Sequence, residues 1–176
     1  MKTIHIDLLD SNSIKSAVYD LREVKDEWKR KAIICSEMIA TMIADQIDAN
    51  LGEIPWTDDL KNTKTHEVIQ KREPFYYTVI RPTRNGYKVV ARGKDLVFVE
   101  FGAGIYHNGA GGQNPLATSV HFDTAIGSYG KGQGANKYWF VAHNLISCGT
   151  PAYMPIQKAL ETVKPQIPTL VRQVFV

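Results

Sequence analysis

One stretch of this sequence constrains the fold more than any other: residues 14–50 contain neither proline nor glycine. Its apolar side chains recur at close to helical spacing, at Ile14, Val18, Leu21, Trp28, Ala32, Cys35, Ile39, Met42 and Ile47. Polar residues that favour helix N-caps precede it, at Asp10, Ser11 and Ser13. Gly52 follows as a candidate stop. The pattern predicts one helix from about Ile14 to Asn50; the alternative is a break near residues 29–31 that leaves two ordinary helices.

The length of this helix predicts contacts outside its own domain. At 1.5 Å per residue it would be roughly 55 Å long, whereas a compact domain of 176 residues is only about 30–35 Å across. We therefore expect one half of the apolar stripe to pack on its own sheet. The other half would meet a neighbouring subunit or the last helix, which makes Met42 and Ile47 candidate interface residues.

A hairpin is predicted in the middle of the chain. Residues 75–80 are aromatic and β-branched, residues 87–91 form the return strand, and Asn85-Gly86 between them is a strong two-residue turn. Residues 96–101 fit either a third strand or a short helical turn, and residues 136–142 fit another strand.

Glycine, asparagine, serine and alanine dominate residues 102–134, which predicts a long loop with a functional role. We expect the loop from Gly104 to Gly134 to be mobile in the free subunit and ordered on assembly. The last helix starts at Pro155 and runs to about Phe175, and prolines at 165 and 168 should kink or split it. The predicted fold is α+β in a single domain, residues 1–176. A long N-terminal helix and a C-terminal helix pack on a small, mainly antiparallel sheet that carries the glycine-rich loop.

Motifs for cofactors and catalysis are weak. The glycine-rich stretches lack G-x-G-x-x-G between a strand and a helix, and Gly-Lys is not followed by Ser or Thr, so no nucleotide cofactor is predicted. His107, His121 and Asp123 keep open the alternative of a small metal-dependent hydrolase or nuclease, although the histidines lack the short spacing of a metal helix. Glu100 has no partner acid nearby. The simplest interpretation of Glu100 is that it binds backbone N–H groups or an arginine at the end of an element.

Charge and hydropathy narrow the class of protein further. The net charge is +3 without a dense lysine and arginine cluster, so a dedicated nucleic-acid surface is not indicated. The longest apolar runs fall far short of the ~20 residues that a membrane span needs, and the N-terminus has no signal-peptide pattern. We therefore expect a non-enzymatic, soluble intracellular product that binds no metal, no cofactor and no membrane.

Two motifs resemble those of a family of tailed-bacteriophage neck, or head–tail joining, proteins. In that family a strand ends in V/I-E-F/Y-G-T/A-G, and here Val99-Glu100-Phe101-Gly102-Ala103-Gly104 occupies this place. The second motif is a turn of small residues followed by proline and the last helix, which here is the stretch G-T-P-A-Y-M-P at residues 149–155. Between them, residues 127–142 are similar to the Gly/Tyr/Trp segment of the family, and the resemblance extends over nearly the whole chain.

The resemblance implies a structural role in the virion. The chain would form a closed ring of about six or twelve copies in the neck, between the DNA-filled head and the tail, assembled in the host cytoplasm. Its neighbours would be head-completion or connector proteins and tail-terminator or tail-tube proteins, and genomic DNA would pass nearby without sequence-specific binding. The glycine-rich loop would reach a neighbour, with candidate interface residues at Glu100, Phe101, Gly102, Gly104, Tyr106 and Tyr129. We expect loss of Glu100 to harm joining more than folding.

Overall fold

The computed structural model describes residues 10–54, 59–62, 68–71, 76–93, 95–104, 114–120, 139–142, 145–147 and 149–175. The helices within these ranges are α1 (Ser11–Gly52), α2 (Leu96–Phe101), α3 (Leu116–Ser119), α4 (Pro155–Val163) and α5 (Ile167–Phe175). The strands are β1 (Asp59–Asn62), β2 (Val68–Lys71), β3 (Tyr76–Thr83), β4 (Gly86–Gly93), β5 (Ala103–Gly104), β6 (Trp139–Ala142), β7 (Leu145–Ser147) and β8 (Gly149–Thr150). The predicted α+β class, with a long N-terminal helix, a C-terminal helix and a small antiparallel sheet, is confirmed.

Helix α1 is a single helix of 42 residues, without the break considered near residues 29–31. It begins at Ser11, where the Asp10 side chain accepts the backbone N–H of Asn12 at 2.9 Å, so of the three candidate caps Asp10 is confirmed, while Ser11 and Ser13 lie within the helix. It ends at Gly52, after which the N–H of Glu53 bonds back to the Ala49 carbonyl at 3.2 Å and the N–H of Ile54 to the Leu51 carbonyl at 3.4 Å. At 1.5 Å per residue its length is about 63 Å.

The strands pair antiparallel in three groups. One sheet has the order β2–β1–β7–β6, the hairpin β3–β4 forms a second, and the two-residue strands β5 and β8 form a third. The hairpin is confirmed. Its turn was predicted at Asn85-Gly86, but Thr83 pairs with Gly86, so Arg84 and Asn85 connect the strands. Gly86 has φ of 154°, and a Cβ there would lie 3.3 Å from Oγ of Ser36 on α1. Glycine lets the turn approach the helix.

The hairpin and the last helices both pack on α1. The hydroxyl of Thr78 in β3 donates to the Asp48 carboxylate at 2.8 Å, while the turn of the hairpin lies near Ser36. Helix α4 begins near the end of α1, where Asn50 Nδ2 donates to the Pro155 carbonyl at 2.8 Å. The chain then runs back along α1 until Phe175 meets Trp28 edge-on, with ring centroids 6.0 Å apart.

Proline divides the last helix as predicted. A 3₁₀ turn at Lys164–Gln166 separates α4 from α5, since Pro165 cannot donate an α-helical hydrogen bond. The segment 96–101 is the helical alternative, α2, so the strand that the family pattern implies for its end is wrong here. Gly102 ends α2 with φ of 82°, a conformation that favours glycine.

The main core lies at the C-terminal end of α1. Its buried members are Ile47, Leu51, Ile54, Leu96, Val99 and Ala159. A second small cluster joins Phe101 to Ala117, with Phe98 and Leu116 packed against it. The core therefore holds α1, α2, α4 and the hairpin together at one end of a helix that continues far beyond it.

Candidate functional site

The structure brings the two sequence motifs together in one junction. Ala103 and Gly104 of the first motif pair with Thr150 and Gly149 of the second, as strands β5 and β8. One helical turn earlier, the Val99 carbonyl accepts the N–H of Tyr153 at 2.9 Å. Motifs that lie about fifty residues apart in the sequence thus form a single piece of structure, which we call the motif junction (residues 99–104 and 149–157).

Glu100 is the centre of the motif junction. Its Oε2 accepts the backbone N–H of Ile156 at 2.8 Å, and its Oε1 accepts that of Gln157 at 3.0 Å. These are the first two N–H groups of α4, because Pro155 has none, and the N-cap residue Met154 makes no side-chain cap. Glu100 therefore caps α4 from another helix, and its negative charge lies at the positive end of the α4 dipole.

Asn114 completes the environment of Glu100. Its Nδ2 donates to Glu100 Oε1 at 2.6 Å, and its Oδ1 accepts the N–H of Leu116 at 3.0 Å. Both side chains are only 2% exposed. The buried carboxylate thus has three donors, one from Asn114, which precedes α3, and two from α4. The interpretation that Glu100 binds backbone N–H groups at the end of an element agrees with this geometry.

Sequence reasoning missed Asn114, because it lies inside the stretch predicted to be a loop. That prediction is wrong for residues 114–120, where Leu116–Ser119 form α3, Asn114 accepts the N–H groups of Leu116 and Ala117, and Ala117 is buried against Phe101. The sequence does contain a pattern that predicts this helix. Asn114-Pro115 followed by small and apolar residues is typical of a helix start. Most of the predicted loop, residues 105–113 and 121–134, lies outside the described residues.

The residues predicted to lie in subunit interfaces differ in how deeply they are buried. Glu100, Phe101 and Ile47 are each 2% exposed, Gly102 is buried and Met42 is half-buried. In this structure these groups contact their own chain, so a role in subunit contacts would be indirect and stays a prediction. Gly104 pairs with Gly149 through the backbone. Tyr106 and Tyr129 lie outside the described residues.

Evidence for a metal centre is missing from the described part of the chain, where no three His, Cys, Asp or Glu side chains converge. His107, His121 and Asp123, on which the alternative of a metal-dependent enzyme depends, lie outside it. None of the helices described here is long and apolar enough to cross a membrane.

The N-terminal half of α1 presents large apolar side chains to solvent. Leu21 is 54% exposed and Trp28 is 62% exposed, even with Phe175 beside it. Within residues 11–34 Ala17 is the one buried side chain. Burying one such side chain contributes roughly 1.5–3 kcal/mol, so this half of α1 favours association with another surface.

Searches against protein-family models, curated proteins and solved structures found no match to this chain.

Proposed function

We propose that this chain is a structural virion protein, a subunit of an oligomeric ring in the neck that joins the DNA-filled head to the tail. The observation that carries the assembly role is the exposed apolar half of α1, where Val18, Leu21 and Trp28 are 43%, 54% and 62% exposed. A folded protein that leaves such a row in water is built to be covered by a partner.

The two motifs support the proposal that this chain belongs to the neck of the virion. They resemble those of the head–tail joining family, and the motif junction is a structural unit in this chain. The buried cap from Glu100 fixes where α4 starts, and the pairing of β5 with β8 fixes the position of Ala103 and Gly104, just before the glycine-rich stretch. A rigid base at that point is suited to a subunit in which the following stretch reaches a neighbour.

The experiment is a deletion of the gene in the phage that carries it, followed by electron microscopy of the lysate. A neck protein predicts filled heads and complete tails that stay separate, and restoring the gene should restore joined particles. Normal joined particles in the deletion would overturn the proposal. Purified protein examined by sedimentation and negative staining should show closed rings, because each copy of a ring uses two different surfaces.

A further inference from the structure

The exposed half of α1 has a regular arrangement of apolar side chains. Ile14, Val18, Leu21 and Trp28 follow the alternating steps of four and three residues that place side chains on one seam of a coiled coil, with Lys25 at the intervening position. Their exposures of 40%, 43%, 54% and 62% show that this seam lies open. A narrow seam of this period is made to pack against another helix.

The charges beside this seam have one sign. Lys15, Arg22 and Lys29 recur every seven residues along its open edge, and all three side chains are exposed. On an ideal helix the seam and this edge cover about 140° of arc, and no acidic residue of α1 falls within it. The acidic residues nearby lie outside this arc: Asp26 is 3.8 Å from Lys29 of the edge, with both side chains largely exposed, and Glu27 pairs with Lys31. We call the four apolar residues, Lys25 and these three basic residues the basic seam.

A recess at the end of the basic seam offers a place for an anchoring side chain. It has an open volume of about 490 Å³ and is lined by Lys25, Trp28, Lys29, Ala32 and Phe175. The Trp28 ring is held edge-on to Phe175, with an interplanar angle of 80°. The recess has room for an apolar side chain beside the two rings, within reach of lysines that can meet a carboxylate, and tryptophan is among the residues enriched in binding hot spots.

From this seam we infer that α1 docks an acidic amphipathic helix from a different polypeptide, with an apolar heptad stripe flanked by glutamate or aspartate. A second copy of α1 docked by the same face in antiparallel orientation would bring the basic edges together, and like charges there disfavour such a pair. A membrane surface would need a broad apolar face, whereas Lys25 lies in the middle of this one. A carboxylate opposite Lys25 would satisfy that lysine and set the register of the two helices.

This inference goes beyond the proposed function, because it concerns a second protein and holds whether or not the chain forms a ring. In a neck, the partner would be an adjoining protein with an exposed acidic helix.

The test uses the full chain and two synthetic peptides with the same apolar heptad stripe. One peptide has Glu at the flanking positions and an Asp opposite Lys25; the control has Lys at all of these positions. Binding is followed by fluorescence of Trp28, with Trp28→Phe to identify its signal. We expect the acidic peptide to bind at least about tenfold more tightly than the basic peptide, with the difference shrinking at high salt.

Charge reversal on the protein gives the decisive comparison. The variant Arg22→Glu with Lys29→Glu should reverse the preference, so that the basic peptide binds more tightly. The matched control, Arg30→Glu with Arg84→Glu, changes net charge equally at exposed positions off the basic seam, and it should keep the preference for the acidic peptide.

Three results would overturn the inference. In the first, both peptides bind equally or neither binds. In the second, the charge-reversed variant and its control behave alike. In the third, vesicles of phosphatidylcholine and phosphatidylserine bind the chain while the acidic peptide does not, which would make the seam a lipid-binding face. Circular dichroism of each variant confirms that the helix content is unchanged.

Discussion

The carboxylate of Glu100 caps a helix to which it does not belong: its Oε2 accepts the backbone N–H of Ile156 at 2.8 Å. Glu100 lies in the last turn of α2, and Ile156 lies in the first turn of α4, more than fifty residues later in the sequence. Both its oxygens have donors and its side chain is 2% exposed. The contact therefore ties the start of the last helix to the first motif.

The first prediction concerns this cap. We expect Glu100→Ala to lower the free energy of unfolding by about 2–3 kcal/mol, since it leaves buried N–H groups and the Asn114 amide without an acceptor. Glu100→Gln keeps one acceptor oxygen and should cost less. Urea denaturation followed by circular dichroism measures both, and Glu161→Ala on the exposed side of α4 is the control. The sequence alone suggested that joining would suffer more than folding; the burial of Glu100 now leads us to expect a defect in folding first.

The second prediction uses Asn114 as a probe of the charge on Glu100. Asn114→Asp has nearly the same shape but places a second carboxylate where the amide now donates at 2.6 Å. We expect it to destabilise the chain at neutral pH more than Asn114→Ala does, because two buried carboxylates repel. Urea denaturation at neutral pH measures both variants. Equal losses of stability would show that the missing amide donor, and not repulsion between the two carboxylates, sets the cost.

The third prediction separates the two halves of α1. Met42→Asp with Ile47→Asp should unfold the chain, because Ile47 is 2% exposed within the main core and burial of an unpaired charge is costly. Val18→Asp with Leu21→Asp should leave circular dichroism unchanged, since these side chains are 43% and 54% exposed. The chain with Val18→Asp and Leu21→Asp should no longer associate with other chains, which sedimentation measures. Unfolding by both pairs would mean that the N-terminal half of α1 also belongs to the core of the subunit.

The fourth prediction concerns Tyr87, whose pKa is raised above its ordinary value of 10.0 by partial burial, by the hydrogen bond with Glu37 and by the charge of that carboxylate. The folded state therefore holds the phenol proton more tightly than the unfolded chain does. This contribution to stability is fully present below pH 10 and is lost as the pH rises through the raised pKa. Tyr87→Phe should remove the contribution and flatten this alkaline loss. Absorbance titration of tyrosinate in the wild type and the variant gives the shift directly.

Local patterns in the sequence were enough to predict the longest elements. Helix α1 follows from a long stretch free of proline and glycine, and the split of the last helix follows from Pro165, which removes a backbone donor wherever it stands. The hairpin follows from its strands and its Asn-Gly pair, although the turn proved to be Arg84-Asn85. A shift of one residue is expected, because neighbouring residues compete for the same turn. A side chain at Gly86 would lie close to Ser36 on α1, which favours glycine at this position.

Only the tertiary structure could decide the role of Glu100 and Asn114. Nothing in the local sequence says which distant N–H groups a carboxylate will meet, and Asn114 lay in a stretch that its glycines made look unstructured. The same is true of α1: its sequence determined that the helix would be long and apolar on one side. Which half of that side is buried depends on where the hairpin and the last helices end along it. Burial is a property of the packed chain, since the apolar residues Val18 and Ile47 satisfy the same helical period although one is exposed and the other enclosed.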